Sequence, residues 1–167
     1  LRKLLYPHAA AVVMQTEQGL TWLKNSTAQN NGVVIPNPIT CPIARSAPVV
    51  RPGDIMSESR KICLSVGRLV EEKRYLQIIG AFNAVAYKYP GWDMVVLGEG
   101  PERDKLERKV SSLDLEGRVY FPGRVGNLSD WYFSADAYVM NSRVEGFPNS
   151  LLEAMAHGLP VISGDCD

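Results

Sequence analysis

The sequence has little cysteine, with three residues, Cys41, Cys63 and Cys166, among 167. None forms a C-x-x-C pair, and an odd number argues against a disulfide framework or a zinc site. Neither sign of charge is in excess, with 18 Lys and Arg against 18 Asp and Glu. A chain whose main task is to neutralise phosphates along a nucleic acid needs surplus cation, so nucleic acid is not expected as a partner. No apolar run approaches the roughly 20 residues of a membrane span, and no signal peptide opens the chain. A cytoplasmic setting is the expectation. There is no internal repeat and no low-complexity tract, which removes solenoids and disordered linkers as whole-chain readings.

Against those absences stand 46% apolar and 22% charged residues. A chain of this length buries about 70% of its extended surface, enough for a real core. The organisation changes along the chain. Residues 1–60 carry 6 Lys and Arg with 3 Asp and Glu, and residues 61–167 carry 12 and 15. Residues 9–16 read as a short buried strand, GLTWLKN as a helix, and VVIPNPI as a strand stopped by Pro36 and Pro38. The stretch CPIARSAPVVRPGD reads as an irregular extended connection. The expected division is 1–40, a linker at 41–60, and a domain at 61–167.

From residue 61 the pattern is regular. KICLSVG, DMVVLG, RVYFPG, AYVMNS and PVIS read as strands. Between them lie an amphipathic helix from Tyr75 toward Pro90, PERDKLERKVSSL with Pro101 at its first position, LSDWYFSA, and a helix from Asn149 to His157 closed by Gly158. In that last helix Leu151, Leu152, Met155 and Ala156 are expected to face the core. Strand and helix in alternation predict an α/β fold, a Rossmann-like parallel sheet with helices on both faces. Ligands in such folds sit outside the carboxyl ends of the strands.

Three of those loops carry chemistry. In GRLVEEK, Gly67 is followed by Arg68, and Lys73 lies at the entry of the next helix. Two cations beside free helix N–H groups suit an anion, although solvated surface charge gives the same spacing. In LGEGPER, Gly98-x-Gly100 is a partial dinucleotide motif. Arg103 occupies the third glycine's place and no acid ends the following strand, so a tight strand-to-helix turn is the simpler reading. In SRVEGFPNSLLEAMAHGLPVIS, Glu145 lies in the loop, Pro148, Asn149 and Ser150 begin a helix, and Glu153 is expected in its first turn. A diphosphate on those N–H groups would leave both carboxylates to accept from sugar hydroxyls, whereas a lone Glu153 could simply favour the helix dipole. His157, at the helix end, reads as structural.

VGRLVEEK, GEGPER and EGFPNSLLEAMAHGLPVIS, in this order, closely resemble the retaining nucleotide-sugar glycosyltransferases of family 4, also called group 1 glycosyltransferases, with the GT-B fold. The resemblance covers residues 62–167, and its centre is the E-x7-E motif from Glu145 to Glu153. Residues 9–16 and VVIPNP resemble the last part of such an enzyme's N-terminal domain. The resemblance implies roles. Arg68 and Lys73 would hold the donor diphosphate and stabilise the leaving nucleotide. Glu153 would bind ribose hydroxyls, and Glu145 would contact the donor sugar. The backbone of Gly67, Gly146, Phe147, Pro148, Asn149, Ser150 and Leu151 would line the phosphates and sugar, and Val125 with Gly123 and Arg124 would lie near the base.

The resemblance further implies no cofactor and no metal, with a nucleotide-diphosphate sugar as donor, UDP ahead of GDP or ADP. The acceptor, a glycan or lipid-linked sugar of a bacterial surface-polysaccharide pathway, would bind an N-terminal domain of which only the tail is expected here. Peripheral association of the parent with the inner face of the membrane is expected to follow. This chain would then be a donor-binding domain, inactive alone. Residues 9–16, cut from their home sheet, are expected to pair with an edge of the main sheet or of another copy. The alternatives are a sugar-nucleotide 2-epimerase of similar fold, a nucleotide-binding module without catalysis, and a nicotinamide oxidoreductase.

Overall fold

The computed structural model describes residues 1–27, 30–57 and 59–166; residues 28, 29, 58 and 167 of the expected ranges lie outside them. The chain divides into two compact units. One is Leu1–Ile39 with Glu145–Asn149, and the other is Thr40–Val144 with Ser150–Asp167.

In the first unit, helix α1 (Arg2–Leu5) precedes strand β1 (Val12–Met14), helix α2 (Glu17–Ser26) and strand β2 (Gly32–Val34). Thr16 starts α2 by accepting a hydrogen bond from the Gly19 amide at 3.0 Å, the role a hydroxyl plays at a helix N-terminus. β1 and β2 pair in parallel, Val13 opposite Val33, in a sheet of their own. This corrects the expectation that residues 9–16 add to an edge of the main sheet. The strand is completed locally by its own βαβ neighbour.

The second unit is the parallel α/β fold that the alternation implies. Its strands are β3 (Lys61–Val66), β4 (Trp92–Leu97), β5 (Val119–Gly123), β6 (Ala137–Met140) and β7 (Val161–Ser163), in the order β5-β4-β3-β6-β7. All neighbouring pairs are parallel. Helices α3 (Tyr75–Ala86) and α4 (Arg103–Ser111) cover one face, where Ile78, Ile79, Phe82, Leu106 and Val110 meet Met94, Val96 and Val119. Helices α5 (Leu128–Ser134) and α6 (Asn149–Ala156) cover the other, where Trp131, Tyr132 and Ala154 meet Leu64, Val95, Tyr138 and Met140. The order reverses between β3 and β6. That is the topological switch point, and the crevice at its carboxyl end is where open α/β sheets take ligands.

Residues 41–57 run as largely irregular chain fastened to this unit. Ile43 N donates to Ser129 Oγ at 2.6 Å, Val50 N to Asn127 Oδ1 at 3.0 Å, and Trp131 Nε1 to the Val50 carbonyl at 2.9 Å. At the opposite end of the sheet from the switch-point loops, the fully buried Asp93 accepts from Arg118 Nε at 2.9 Å and pairs bidentately with Arg60.

Two boundaries differ from the sequence reading. α4 begins at Arg103 rather than at Pro101, with Glu102 before it as N-cap, its amide donating to the Leu69 carbonyl at 3.0 Å. In α6 the buried residue is Ala154, while Met155 is 52% exposed and Ala156 is also exposed. The helix is turned by one residue from the expected face.

Candidate functional site

The loop after β3 begins at Gly67. Its amide donates to the Leu97 carbonyl at 3.0 Å, and the Leu69 amide donates to the Glu99 carbonyl at 2.9 Å. The loop after β4 answers with glycines. A Cβ on Gly98 would lie 1.9 Å from the Gly67 carbonyl oxygen, and one on Gly100 would lie 2.3 Å from that of Leu69. Gly98 also has φ +143°, a conformation side chains disfavour. The Gly98-x-Gly100 pair therefore exists for close passage of two main chains, which is the turn reading and not a dinucleotide cradle. Between those amide contacts Arg68 emerges exposed, its backbone held on both sides.

Lys73 closes a short 3-10 turn (Glu71–Lys73) before α3. Its stem folds back over Gly67: Cε lies 3.4 Å from where a Cβ of that glycine would be, and the hydroxyl of buried Tyr75 lies 2.8 Å from the same point. The structure thus brings Lys73 alongside Gly67, one residue from Arg68. Arg68 lines a cavity of about 330 Å³ with Gly67, Glu99, Arg124 and Val125 across the carboxyl ends of β3, β4 and β5. Val125 forms part of the wall, packed against the core of the α5 face.

The loop after β6 meets the loop after β3 directly, with the Arg143 amide donating to the Glu72 carbonyl at 2.7 Å. The start of α6 is tied to the end of β3 by a buried tyrosine. Tyr138 donates to Ser150 Oγ at 2.8 Å, with the Val66 carbonyl at 3.4 Å as a longer second acceptor. A second buried tyrosine, Tyr132 of α5, faces both the Ser150 carbonyl at 3.1 Å and Glu153 Oε2 at 3.0 Å. Burial holds the Tyr132 hydroxyl far above the ordinary phenol range, aided by the Glu153 carboxylate, so it stays a proton donor. Glu153 lies in the second turn of α6, not the first, so a direct interaction with the helix dipole is not its local role. Its main-chain carbonyl accepts from His157 Nδ1 at 2.7 Å, and His157 Nε2 then accepts from Ser129 Oγ at 2.9 Å. His157 is structural, as expected. Leu151 packs on the core of the same face.

The remaining expected site residues, Glu145, Gly146, Phe147, Pro148 and Asn149, belong to the first unit. There the Asn149 amide donates to the Phe147 carbonyl at 2.9 Å, and Asn149 Oδ1 accepts from Asn37 at 3.0 Å. Asn149 is thus engaged by Asn37, which sequence spacing did not indicate. Also missed were Tyr132 and Tyr138, for which a phenol in a fully buried strand or helix was the available signal. Ser142, in the loop after β6, is buried, and its hydroxyl has no hydrogen-bond partner among the described residues. Among the described residues no group of three or more His, Cys, Asp or Glu side chains could hold a metal ion. The sequence has an Asp-x-Asp pair at 165 and 167, and its second member lies outside those residues. No helix among them is long and apolar enough to cross a membrane.

A doubly wound parallel sheet with an arginine and a lysine at its switch point defines a Rossmann-like ligand-binding domain of the kind that forms the C-terminal half of GT-B glycosyltransferases. The model of the family described as glycosyl transferases group 1 matches residues 52–167, and the chain belongs to that family. It is similar to an uncharacterised glycosyltransferase of Haemophilus influenzae, 31% identical over 155 residues, covering 93% of this chain and 42% of that protein. It is also similar to the amylovoran biosynthesis glycosyltransferase AmsD of Erwinia amylovora, 28% identical, covering 99% and 46%. The chain thus spans less than half the length of these relatives. Among solved structures, the pneumococcal O-GlcNAc transferase GtfA in complex with UDP and GlcNAc shares the fold with a TM-score of 0.80 at 22% identity, covering 99% of this chain and 33% of that one. The C-terminal domain of the group 1 family glycosyltransferase LpcC from Francisella tularensis matches with a TM-score of 0.60 at 28% identity, covering 76% and 70%.

Proposed function

We propose that this chain is the donor-binding part of a retaining family 4 glycosyltransferase and takes a nucleotide-diphosphate sugar, UDP-linked ahead of GDP- or ADP-linked. The observation that carries the reading is the meeting of the Arg68–Lys73 loop with the loop after β6 at the switch point, through Arg143 N and the Glu72 carbonyl at 2.7 Å. In this reading Arg68 and Lys73 hold the diphosphate. As the bond between sugar and phosphate breaks, negative charge grows on the leaving phosphate oxygen. Fixed cations stabilise that charge without reorganising, an electrostatic contribution often larger than any other. Arg68 offers a planar fork to two oxygens and Lys73 a mobile point charge. Glu153 accepts from the ribose hydroxyls, Val125 and the main chain beside it border the base, and Glu145 contacts the sugar. The backbone amides of residues 146–151, Pro148 excepted because it has no N–H, meet the phosphates and sugar.

The parent protein then passes the sugar to a glycan or lipid-linked acceptor, with retention of configuration, in the cytoplasm at the inner membrane face. The acceptor binds a domain outside this chain. The name of AmsD, an amylovoran biosynthesis glycosyltransferase, and the presence of UDP in the GtfA complex support a polysaccharide pathway and a UDP donor. Calorimetry and thermal shift against UDP, GDP, ADP and NAD test the reading, beside the double variant Arg68→Ala/Lys73→Ala. Ligand at 100 times its Kd adds ~2.7 kcal/mol, or roughly 5–10 °C in Tm for a domain of this size. The expected result is a shift with one nucleoside diphosphate that disappears in the variant. A folded chain that binds none of them, or binds equally well without the two cations, refutes it.

A further inference from the structure

We infer that Tyr132 is the positioning residue for Glu153, and that its hydroxyl sets how well this site tells a ribonucleotide from a deoxyribonucleotide. The inference rests on the reading of Glu153 as the ribose acceptor. Tyr132 is fully buried on α5, and its ring stacks at a tilt with His157, centroids 4.9 Å apart. Its hydroxyl lies 3.0 Å from Glu153 Oε2 and 3.1 Å from the Ser150 carbonyl. A phenol has one proton and here two acceptors one turn of α6 apart. It therefore fixes the carboxylate against its own helix backbone, and a charge-assisted bond is the stronger of the two. Among the described residues no other side chain hydrogen-bonds the Glu153 carboxylate. One oxygen is committed to Tyr132, and the other is left to accept from a ligand.

The helix under the carboxylate is held by the same element. Ser129 and Tyr132 lie three apart on α5 and so share a face. Ser129 holds His157 Nε2 at 2.9 Å, and His157 Nδ1 holds the Glu153 carbonyl at 2.7 Å. α5 therefore grips Glu153 at its main chain through Ser129 and His157 and at its side chain through Tyr132. Only the second grip bears on the direction of the carboxylate. Without it, a half-buried glutamate with three side-chain torsions samples several rotamers, and a hydroxyl pair on a ligand loses a fixed acceptor.

The test uses this chain with UDP, GDP and ADP and their 2′-deoxy and 3′-deoxy forms. For the base that binds, Tyr132→Phe should weaken the ribonucleotide by about tenfold, the scale of one charged hydrogen bond. The deoxy forms should be nearly unchanged, so the preference for ribose falls. A purely structural role would lower Tm and weaken every ligand alike. In a Glu153→Ala background Tyr132→Phe should have no further effect on the ratio. Glu153→Asp, which withdraws the carboxylate from the phenol without touching the aromatic core, should lose the same preference with Tm preserved. It keeps the test open should Tyr132→Phe fold poorly. Unchanged discrimination in Tyr132→Phe or Glu153→Asp, with Glu153→Ala defective, overturns the role of Tyr132 alone. Unchanged discrimination in Glu153→Ala overturns the ribose reading beneath it.

Discussion

Replacing Gly98 by alanine tests whether main-chain contact seats Arg68. The new Cβ would lie 1.9 Å from the Gly67 carbonyl oxygen and 2.9 Å from its carbon. The contact cannot relax by rotating a side chain, because the obstructing atoms are backbone. Gly98 is held by its amide on the Gly123 carbonyl at 2.9 Å, and Gly67 by its amide on the Leu97 carbonyl at 3.0 Å. Relief must stretch one or both of those bonds, at ~0.5–1.5 kcal/mol each. A side chain at φ +143° adds ~1–3 kcal/mol. The sum is about 1.5–6 kcal/mol, or roughly 3–24 °C in Tm at this chain length.

Two further alanines separate the contributions. Gly117 has φ +73° and open space around its Cβ position, so Gly117→Ala carries backbone strain alone, about 1 kcal/mol. Gly80 lies inside α3 with open space, so Gly80→Ala should stabilise by ~0.5–1 kcal/mol. Urea denaturation of all three, with nucleotide affinity for Gly98→Ala, is the assay. Displacing Gly67 moves Arg68, so affinity should fall alongside stability. A Gly98→Ala protein no less stable than Gly117→Ala would refute the steric argument. Lost stability with unchanged affinity would show that the Gly67 backbone does not seat the arginine.

Two other outcomes follow from the charges and thiols. Asp93→Asn removes the shared partner of Arg60 and Arg118, whose side chains are 27% and 24% exposed. Breaking a buried pair costs ~3–5 kcal/mol, and partial solvation of the arginines lowers this to about 2–3 kcal/mol, read as a shift in urea midpoint at unchanged slope; a loss under 1 kcal/mol would mean the triad is not a fold determinant. Burial pushes the Cys63 thiol from 9.0 up to about 11. The folded state thus favours the neutral thiol, so its contribution is whole below pH 9 and lost as pH rises toward 11. Stability should fall across that window less steeply in Cys63→Ala, and at pH 8 a thiol reagent should label exposed Cys41 well before Cys63.

The parallel sheet was legible because apolar runs such as KICLSV and DMVVL end in glycine and alternate with a 3.6-residue stripe in α3. The position of Arg68, Lys73 and Val125 at the carboxyl-end side of the sheet was legible because their loops follow strand ends, and the fold places strand ends together. The start of α4 was not, since Pro101 suits a first helical position by sequence while the chain before Arg103 is held by a contact 33 residues apart, Glu102 N to the Leu69 carbonyl. The core face of α6 was missed because Met155 reads as core by hydropathy, while packing selects the smaller Ala154 against β6. The hydroxyls of Tyr132 and Tyr138 stayed invisible for the same reason. Their partners lie 12 to 21 residues or more away, across strand order that local periodicity does not encode. Both β1 and β2 are legible as strands, but their parallel pairing with each other is not, because local periodicity does not say which strands meet.

The glycine contacts at 98 and 100 have a consequence for change as well as for stability. The seat of Arg68 is written in amides, carbonyls and the absence of Cβ atoms, so it is indifferent to which side chains the neighbouring loops carry. Glu99, Arg124 and Val125 border the same cavity, and among the described contacts none of their side chains holds the Gly67–Leu69 backbone. A library randomised at those three positions, with both glycines kept, would therefore vary one end of the cavity while the cationic end stays in register. The architecture separates what must remain constant from what can drift, and a common scaffold of this kind can change its ligand by small steps without first losing its grip.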